Sequence, residues 1–235
     1  MVKAELIQRS PLRILEKSIH GGLGKGNIGA IAAPKGVGKT AVLVHLATDK
    51  LLQGQHVIHI SFSEKTDHIM AWYEDIFGEI SRLRDLENAM DVHNEVVKNR
   101  VIMNFVQKDV EMDTVISRVR SMIQDGDFAA DTLVVDGYNF DHSTSEEIAK
   151  LKKFLGEDNL SVWFSVTVPP GVDYDPTAVP AVLGEHIDTV DVLFTLDNSG
   201  DHVCLSLLKD HDHKHPEDPK LMLDSRSLLI AKEEK

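Results

Sequence analysis

Apolar and polar positions divide the chain into short apolar runs and longer segments with helical spacing. The apolar runs predict buried strands at 27–32, 56–63, 100–106, 131–136 and 160–168. Segments with apolar residues three or four positions apart predict helices at 41–47, 66–98, 113–124 and 144–155. Because strands that alternate with helices form a parallel sheet covered on both faces, we predict a three-layer α/β sandwich.

The pattern changes after Pro169. Short β-like runs follow at 190–196, 203–208, 221–223 and 228–230. They predict an antiparallel extension at one edge of the mostly parallel sheet. Since no internal repeat or low-complexity segment interrupts the pattern, we expect one domain over 1–235, with 1–16 as a lead-in segment.

Composition narrows the range of partners. A net charge of −13 disfavours non-specific attraction to nucleic acid or to an anionic membrane. No run approaches the ~20 apolar residues of a membrane span, and the first residues lack the apolar core of a signal peptide. Cys204 is the only cysteine, which fits a reducing compartment. We therefore expect a cytoplasmic protein with no membrane partner.

The segment APKGVGKT, Ala33 to Thr40, lies between the first predicted strand and the first predicted helix. This is the order of a phosphate-binding P-loop, in which backbone N–H groups and the helix N-terminus face a phosphate. Lys39 would reach the β- and γ-phosphates, and the Thr40 hydroxyl would bind Mg²⁺. Ala33 replaces the usual first glycine, which is tolerable at negative φ. A chance turn of this composition is the alternative.

The predicted nucleotide-binding residues are those of the loop and the helix start: Pro34, Lys35, Gly36, Val37, Gly38, Lys39, Thr40 and Ala41.

Two acidic residues follow predicted strands at the end where α/β proteins bind ligands. Asp136 ends the strand 131–136, where it would hold Mg²⁺ through water beside Thr40. Glu64 follows the strand 56–63, where it would orient and deprotonate an attacking water. The alternatives are a capping role for Asp136 and a helix-start role for Glu64.

Together these segments resemble the RecA-like P-loop ATPases, most closely the KaiC and replicative-helicase (DnaB) branches. The resemblance rests on the order of P-loop, strand-end Glu64 and strand-end Asp136, and extends from about residue 12 to residue 230. It implies a RecA-like fold, ATP and Mg²⁺ as ligands, and Glu64 as the catalytic base.

The same resemblance implies two further roles. A γ-phosphate sensor would lie at the end of the strand after Asp136, where Ser165 or Thr167 matches, and a hydroxyl satisfied within the sheet is the alternative. Rings of the family complete a neighbouring site with Lys-x-Arg, whereas this chain has Lys209-Asp210-His211. Lys209 could still reach across a homo-oligomer, but a neutral imidazole cannot replace the guanidinium.

Helicases and recombinases of this superfamily hold single-stranded DNA in loops after the sensor strand. Segment 154–208 contains no Lys or Arg and nine acids. Since phosphate neutralisation needs cations, we expect no nucleic-acid partner.

Histidines cluster in the segment HDHKH at 211–215. Imidazoles at alternating positions could share a metal ion. Lys214 lies among them, however, and no acid or cysteine completes an obvious set. We interpret this segment as a solvated loop.

The sequence thus predicts Mg²⁺-dependent binding of ATP with slow hydrolysis to ADP, and a conformational change read by an unidentified protein partner. Hydrolysis is expected to be slow because a trans arginine contributes ~10³-fold or more in phosphoryl transfer. A nucleotide-gated binding module without turnover is the competing hypothesis. A DNA motor and a small-molecule phosphotransferase fit less well, because 154–208 offers no cation.

Overall fold

The computed structural model describes residues 1–62, 66–105, 110–200, 202–213 and 216–233, which form a nine-stranded sheet with flanking helices. The strands are β1 Ile28–Pro34, β2 Val57–Ser61, β3 Arg100–Asn104, β4 Thr132–Asp136, β5 Ser161–Val168, β6 Val192–Asn198, β7 His202–Asp210, β8 Leu221–Asp224 and β9 Ile230–Lys232. Their order across the sheet is β3-β2-β4-β5-β1-β6-β7-β8-β9.

Helices precede, connect and flank these strands. They are α1 Lys3–Gln8, α2 Leu12–Ser18, α3 Lys39–Leu52, α4 Thr66–Arg84, α5 Ala89–Lys98, α6 Met112–Gln124 and α7 Ser145–Glu157. The predicted helix 66–98 is therefore two helices, separated by a turn in which Asp85 and Asn88 have φ of 46° and 53°. Thr144 and Glu147 form a capping box at the start of α7, the helix predicted at 144–155.

The parallel part of the sheet is larger than the sequence predicted. The run 190–196 was expected to belong to the antiparallel extension, and this is wrong: β6 pairs parallel with β1, from Gly29–Val192 to Ala32–Thr195. Parallel neighbours need a crossover, and the segment 169–191 provides it by returning the chain to the amino end of the sheet. The pairs β6–β7, β7–β8 and β8–β9 are antiparallel, as predicted for an edge extension.

Each face of the parallel strands packs against helices. Along β1, the side chains of Ile31 and Ala33 join a core with α3, α4 and α5. Those of Ala30 and Ala32 join a second core with α6 and α7. Because successive side chains of a strand point to opposite faces, these two cores lie on opposite sides of the sheet.

Helix α3 is buried almost completely, with twelve of its fourteen residues in the interior. It packs on the sheet and against α4 and α5, and the antiparallel extension contacts it through Leu223 and Ile230. The Ile230 N–H donates a hydrogen bond of 2.8 Å to Nδ1 of His45, which is 4% exposed. The antiparallel extension therefore completes the environment of the helix that follows β1.

This contact makes a pH dependence testable. Burial lowers the pKa of His45 from 6.5 to about 4, so between these values the unfolded chain carries a proton that the folded chain does not. The contribution of neutral His45 is complete above pH 6.5 and is lost as pH falls toward 4, by up to about 3 kcal/mol.

We expect the free energy of unfolding, measured by urea denaturation, to decline over this interval. The decline should be shallower in His45→Gln, whose amide oxygen can still accept from Ile230 and does not titrate. Equal slopes for the two proteins would contradict the assignment.

Candidate functional site

Three predicted polar residues meet at the carboxyl end of the parallel strands. The Thr40 hydroxyl, in the first turn of α3, donates to Oδ2 of Asp136 at 2.9 Å. The Ser165 hydroxyl donates to the other carboxylate oxygen, Oδ1, at 2.5 Å, and accepts from the Gly137 N–H at 2.9 Å. Residues from α3, β4 and β5 thus converge on one carboxylate, as a site at this end of the sheet requires.

The loop between β1 and α3 has the backbone that its glycines permit. Gly36 and Gly38 have φ of 88° and 117°, values that residues with a side chain rarely adopt. Ala33 lies within β1, where extended backbone has negative φ, so the alanine is accommodated as expected. A Cβ on Gly38 would come within 2.5 Å of Leu223 Cδ2, whereas one on Gly36 would meet open space.

Lys39 lies beneath this loop and is 7% exposed. Its Nζ donates to the carbonyl oxygens of Ala33, at 2.9 Å, and Pro34, at 2.8 Å. Burial lowers the pKa of Lys39 to about 8, although the Asp136 carboxylate favours the charged form. An anion bound at the loop would favour that charged form further.

The other residues of the loop differ in exposure. Lys35 and Gly36 are exposed, Pro34, Val37 and Gly38 are half-buried, and Ala41 is buried. The tip of the loop at Lys35 and Gly36 is therefore open to solvent, while Lys39 and Ala41 at the start of α3 are buried.

Glu64 lies outside the described residues, and its role stays a prediction. The last residue of β2, Ser61, is in register with Asp136, and the Phe62 N–H donates to the Asp136 carbonyl oxygen at 2.9 Å. The described range that includes β2 thus ends at residue 62, beside Asp136. Glu64 follows two positions later in the sequence.

The two candidate sensor residues are in different environments. Ser165 is buried and bound to Asp136, whereas Thr167, two residues further along β5, is exposed. Both side chains point to the same face because they are two positions apart. Ser165 therefore orients the carboxylate, and Thr167 remains open to a ligand.

Lys209 is not part of this constellation. It pairs with Leu193 at the amino end of β6, and its Nζ donates to the Ile187 carbonyl oxygen at 2.6 Å. It thus lies at the opposite end of the sheet from Thr40. Beside it, burial opposes charge on His211, but hydrogen bonds with Asp210 and Leu23 raise the pKa of this imidazole above its usual value.

Sequence reasoning missed a buried polar group below the site. His59, inside β2, has Nδ1 3.0 Å from the Tyr73 hydroxyl, and the Arg100 guanidinium lies 4.1 Å from the centre of the Tyr73 ring. Burial lowers the pKa of His59 to about 4, although the Asp136 carboxylate opposes that shift. A histidine within an otherwise apolar strand was the available signal.

Two small cavities open at the same end of the sheet. One, of about 200 Å³, is lined by Phe62, Tyr138 and His142 among others, and the second, of about 170 Å³, by Gly137 and Thr167 among others. A larger cavity of about 660 Å³ lies elsewhere, between α1, the end of α4 and β9. The polar constellation, and not this larger cavity, therefore defines the candidate site.

Comparisons with protein-family models and with curated proteins gave no match for this chain. Among the described residues, no helix combines the length and apolar character that crossing a membrane demands.

The donor set fits a hard divalent cation together with an anion. Mg²⁺ prefers oxygen ligands such as the Thr40 hydroxyl and the Asp136 carboxylate. The loop amides, the N-terminus of α3 and the Lys39 ammonium favour negative charge next to them. A phosphate with its metal ion would satisfy both requirements.

The two loop glycines provide a matched test of this geometry. Gly36→Ala should cost about 1–2 kcal/mol, because only the positive φ penalises its side chain. Gly38→Ala should cost about 1–3 kcal/mol more, since Leu223 must also move.

Both values follow from urea denaturation of the two variants against the unsubstituted protein. Equal losses would contradict the close contact between Gly38 and Leu223.

Proposed function

We propose that this chain binds ATP with Mg²⁺ at the carboxyl end of its parallel strands and hydrolyses it slowly, as a RecA-like P-loop protein of KaiC or DnaB type. The contact of 2.9 Å between the Thr40 hydroxyl and Asp136 Oδ2 carries this proposal. It joins the residue after the loop lysine to a strand-end acid 96 positions away. A chance glycine turn has no reason to meet such a partner.

The loop residues hold the phosphates. Backbone N–H groups of 34–41 and the positive end of the α3 dipole attract the phosphate oxygens. Lys39 exchanges the carbonyl oxygens of Ala33 and Pro34 for the β- and γ-phosphates. Its position beneath the loop supports this role, because the ammonium already lies at the start of α3.

Thr40 and Asp136 hold the metal ion. Bound Mg²⁺ would neutralise charge on the β- and γ-phosphates. Ser165 keeps the carboxylate in position by donating to Oδ1, which leaves Oδ2 directed at Thr40. Thr167, exposed at the end of β5, is the residue available to contact the γ-phosphate.

Turnover depends on Glu64 as the base that orients and deprotonates water. We propose that turnover is slow, because the two cavities at the carboxyl end of the sheet have no lysine or arginine among their described lining residues to stabilise the transferred phosphate. A neighbouring subunit could supply Lys209, but its Nζ would first have to leave the Ile187 carbonyl oxygen. Assembly into a homo-oligomer would be needed for that contact.

The lack of a described lysine or arginine in these two cavities also supports a second function. Without a cation from a neighbour, the site could bind ATP as a gate for a protein partner and release no phosphate. Nucleic acid is not part of either proposal, given the acidic segment 154–208. A cytoplasmic location likewise stays a prediction, from the single cysteine.

Nucleotide affinity tests the site directly. Thr40→Ala and Asp136→Ala should each weaken Mg²⁺-ATP binding by at least about tenfold, and Lys39→Ala by more, because it removes a charge-assisted contact. Isothermal titration with ATP, with and without Mg²⁺, measures these losses.

Lys153→Ala is the matched control, since this lysine of α7 is 78% exposed and distant in sequence from the loop. Unchanged affinity in Lys39→Ala would overturn the proposal.

Glu64→Gln separates the two functions. If Glu64 is the base, the variant should keep its ATP affinity and lose at least about 100-fold in phosphate release, the range that general base catalysis contributes. Single-turnover phosphate release at saturating ATP measures the rate.

Equal rates in the two proteins would remove Glu64 from the mechanism. Tight binding with no release by the unsubstituted protein, even at high protein concentration, would favour the gated binding module.

A further inference from the structure

A second polar cluster lies at the opposite end of the sheet from Thr40. Asp210, the last residue of β7, has a fully buried side chain. Within the described ranges its ion-pair partners are three histidines, His20, His211 and His213. A buried carboxylate is costly unless charge compensates it, and a cation shared with these side chains would add to the compensation that a protonated His211 supplies.

The three histidines divide the two carboxylate oxygens between them. His20 Nδ1 lies 2.6 Å and His213 Nδ1 3.2 Å from Oδ2. His211 Nδ1 lies 2.7 Å from Oδ1, while its Nε2 lies 3.1 Å from the Leu23 carbonyl oxygen. His211 thus fixes the orientation of the carboxylate, and Oδ2 faces two imidazole nitrogens.

We propose that His20, Asp210 and His213 bind a divalent transition-metal ion such as Zn²⁺. One ring nitrogen of His20, one of His213 and Oδ2 of Asp210 form the ligand set. A water molecule completes a tetrahedral site. His211 is not a ligand. It holds the Asp210 carboxylate in orientation, as residues that hydrogen-bond to metal-binding carboxylates commonly do. The ion would join the loop before β1 to the end of β7.

The distances are close to those that such an ion needs. The three ligand atoms lie within 4.8 Å of one another. In a tetrahedral zinc site with bonds of about 2.0–2.1 Å, ligand atoms are about 3.3 Å apart. The pair His213–Asp210 already has that separation, and His20 must withdraw from Oδ2 by less than about 1 Å.

Two changes are required. The His20 and His213 nitrogens that donate to Oδ2 must release their protons to solvent, because imidazole binds a metal ion through an unprotonated nitrogen. The rings must also move. The rings of His20 and His213 are stacked, with centroids 3.7 Å apart and planes inclined by 6°. Because the lone pair of a ring nitrogen lies in the ring plane, the rings must tilt toward each other to share an ion. His20 is free to do so, since its side chain is 57% exposed and two glycines follow it.

A second group of possible ligands, His202, Cys204 and Glu233, lies toward the start of β7. The Sγ atom of Cys204 lies 3.3 Å from the Ser199 hydroxyl oxygen. This second group lacks a buried carboxylate, because Glu233 is exposed. The cluster around Asp210 is therefore the better candidate, and the second group provides a matched control.

Metal binding to the chelator-stripped protein tests the proposal without nucleotide. Zn²⁺ binding is measured by competition with a chromophoric indicator, and we expect one bound ion per chain. Bound Co²⁺ should show the intense visible absorption of a tetrahedral ion. His20→Ala and His213→Ala should each lose about 100-fold or more in Zn²⁺ affinity, since even partners outside the ligand set contribute about 10–100-fold. His202→Ala should bind Zn²⁺ as the unsubstituted protein does.

A second readout guards against variants that fail to fold. Zn²⁺ should raise the unfolding temperature of the unsubstituted protein and of His202→Ala, but not of His20→Ala, whose exposed side chain can be removed without opening the core. Absence of stoichiometric binding, retained affinity in His20→Ala, or loss only in His202→Ala would each overturn the proposal. None of these outcomes bears on ATP binding at the other end of the sheet.

Discussion

The burial of α3 is the constraint on which the rest of the structure depends. The sheet packs against one side of this helix, α4 and α5 pack alongside it, and the antiparallel extension adds a contact in which Ile230 donates to His45. A helix held in this way cannot shift without disturbing these neighbours. Its first turn therefore keeps Thr40 at hydrogen-bond distance from Asp136 and keeps Gly38 against Leu223.

The two ends of the sheet carry different chemistry because parallel strands bring like ends together. At the carboxyl end, hydroxyl groups and a carboxylate offer oxygen ligands next to a lysine and a helix N-terminus. At the amino end, imidazoles surround the carboxylate of Asp210. The first set suits Mg²⁺ with a phosphate, and the second suits a softer transition-metal ion.

Several expectations from sequence depended on local chemistry, and these are confirmed. The strand, glycine loop and helix around Lys39 have the order and backbone that the glycines indicated. The helix predicted at 144–155 is present as α7, where Thr144 and Glu147 form a cap between neighbours in the chain. The parallel pairing of β6 was not readable, since hydrophobic runs of this length do not distinguish parallel from antiparallel partners.

The sequence by itself determined the mostly parallel α/β sheet and the position of the glycine loop between β1 and α3, because alternation and glycine spacing are local properties. Tertiary structure alone decided which side chains meet. Ser165 was predicted as a candidate sensor, and the fold places its hydroxyl against the Asp136 carboxylate. His20 meets Asp210 across 190 residues, completing a cluster that the segment 211–215 lacked when considered alone. Contacts at such separation depend on strand order, which no short pattern encodes.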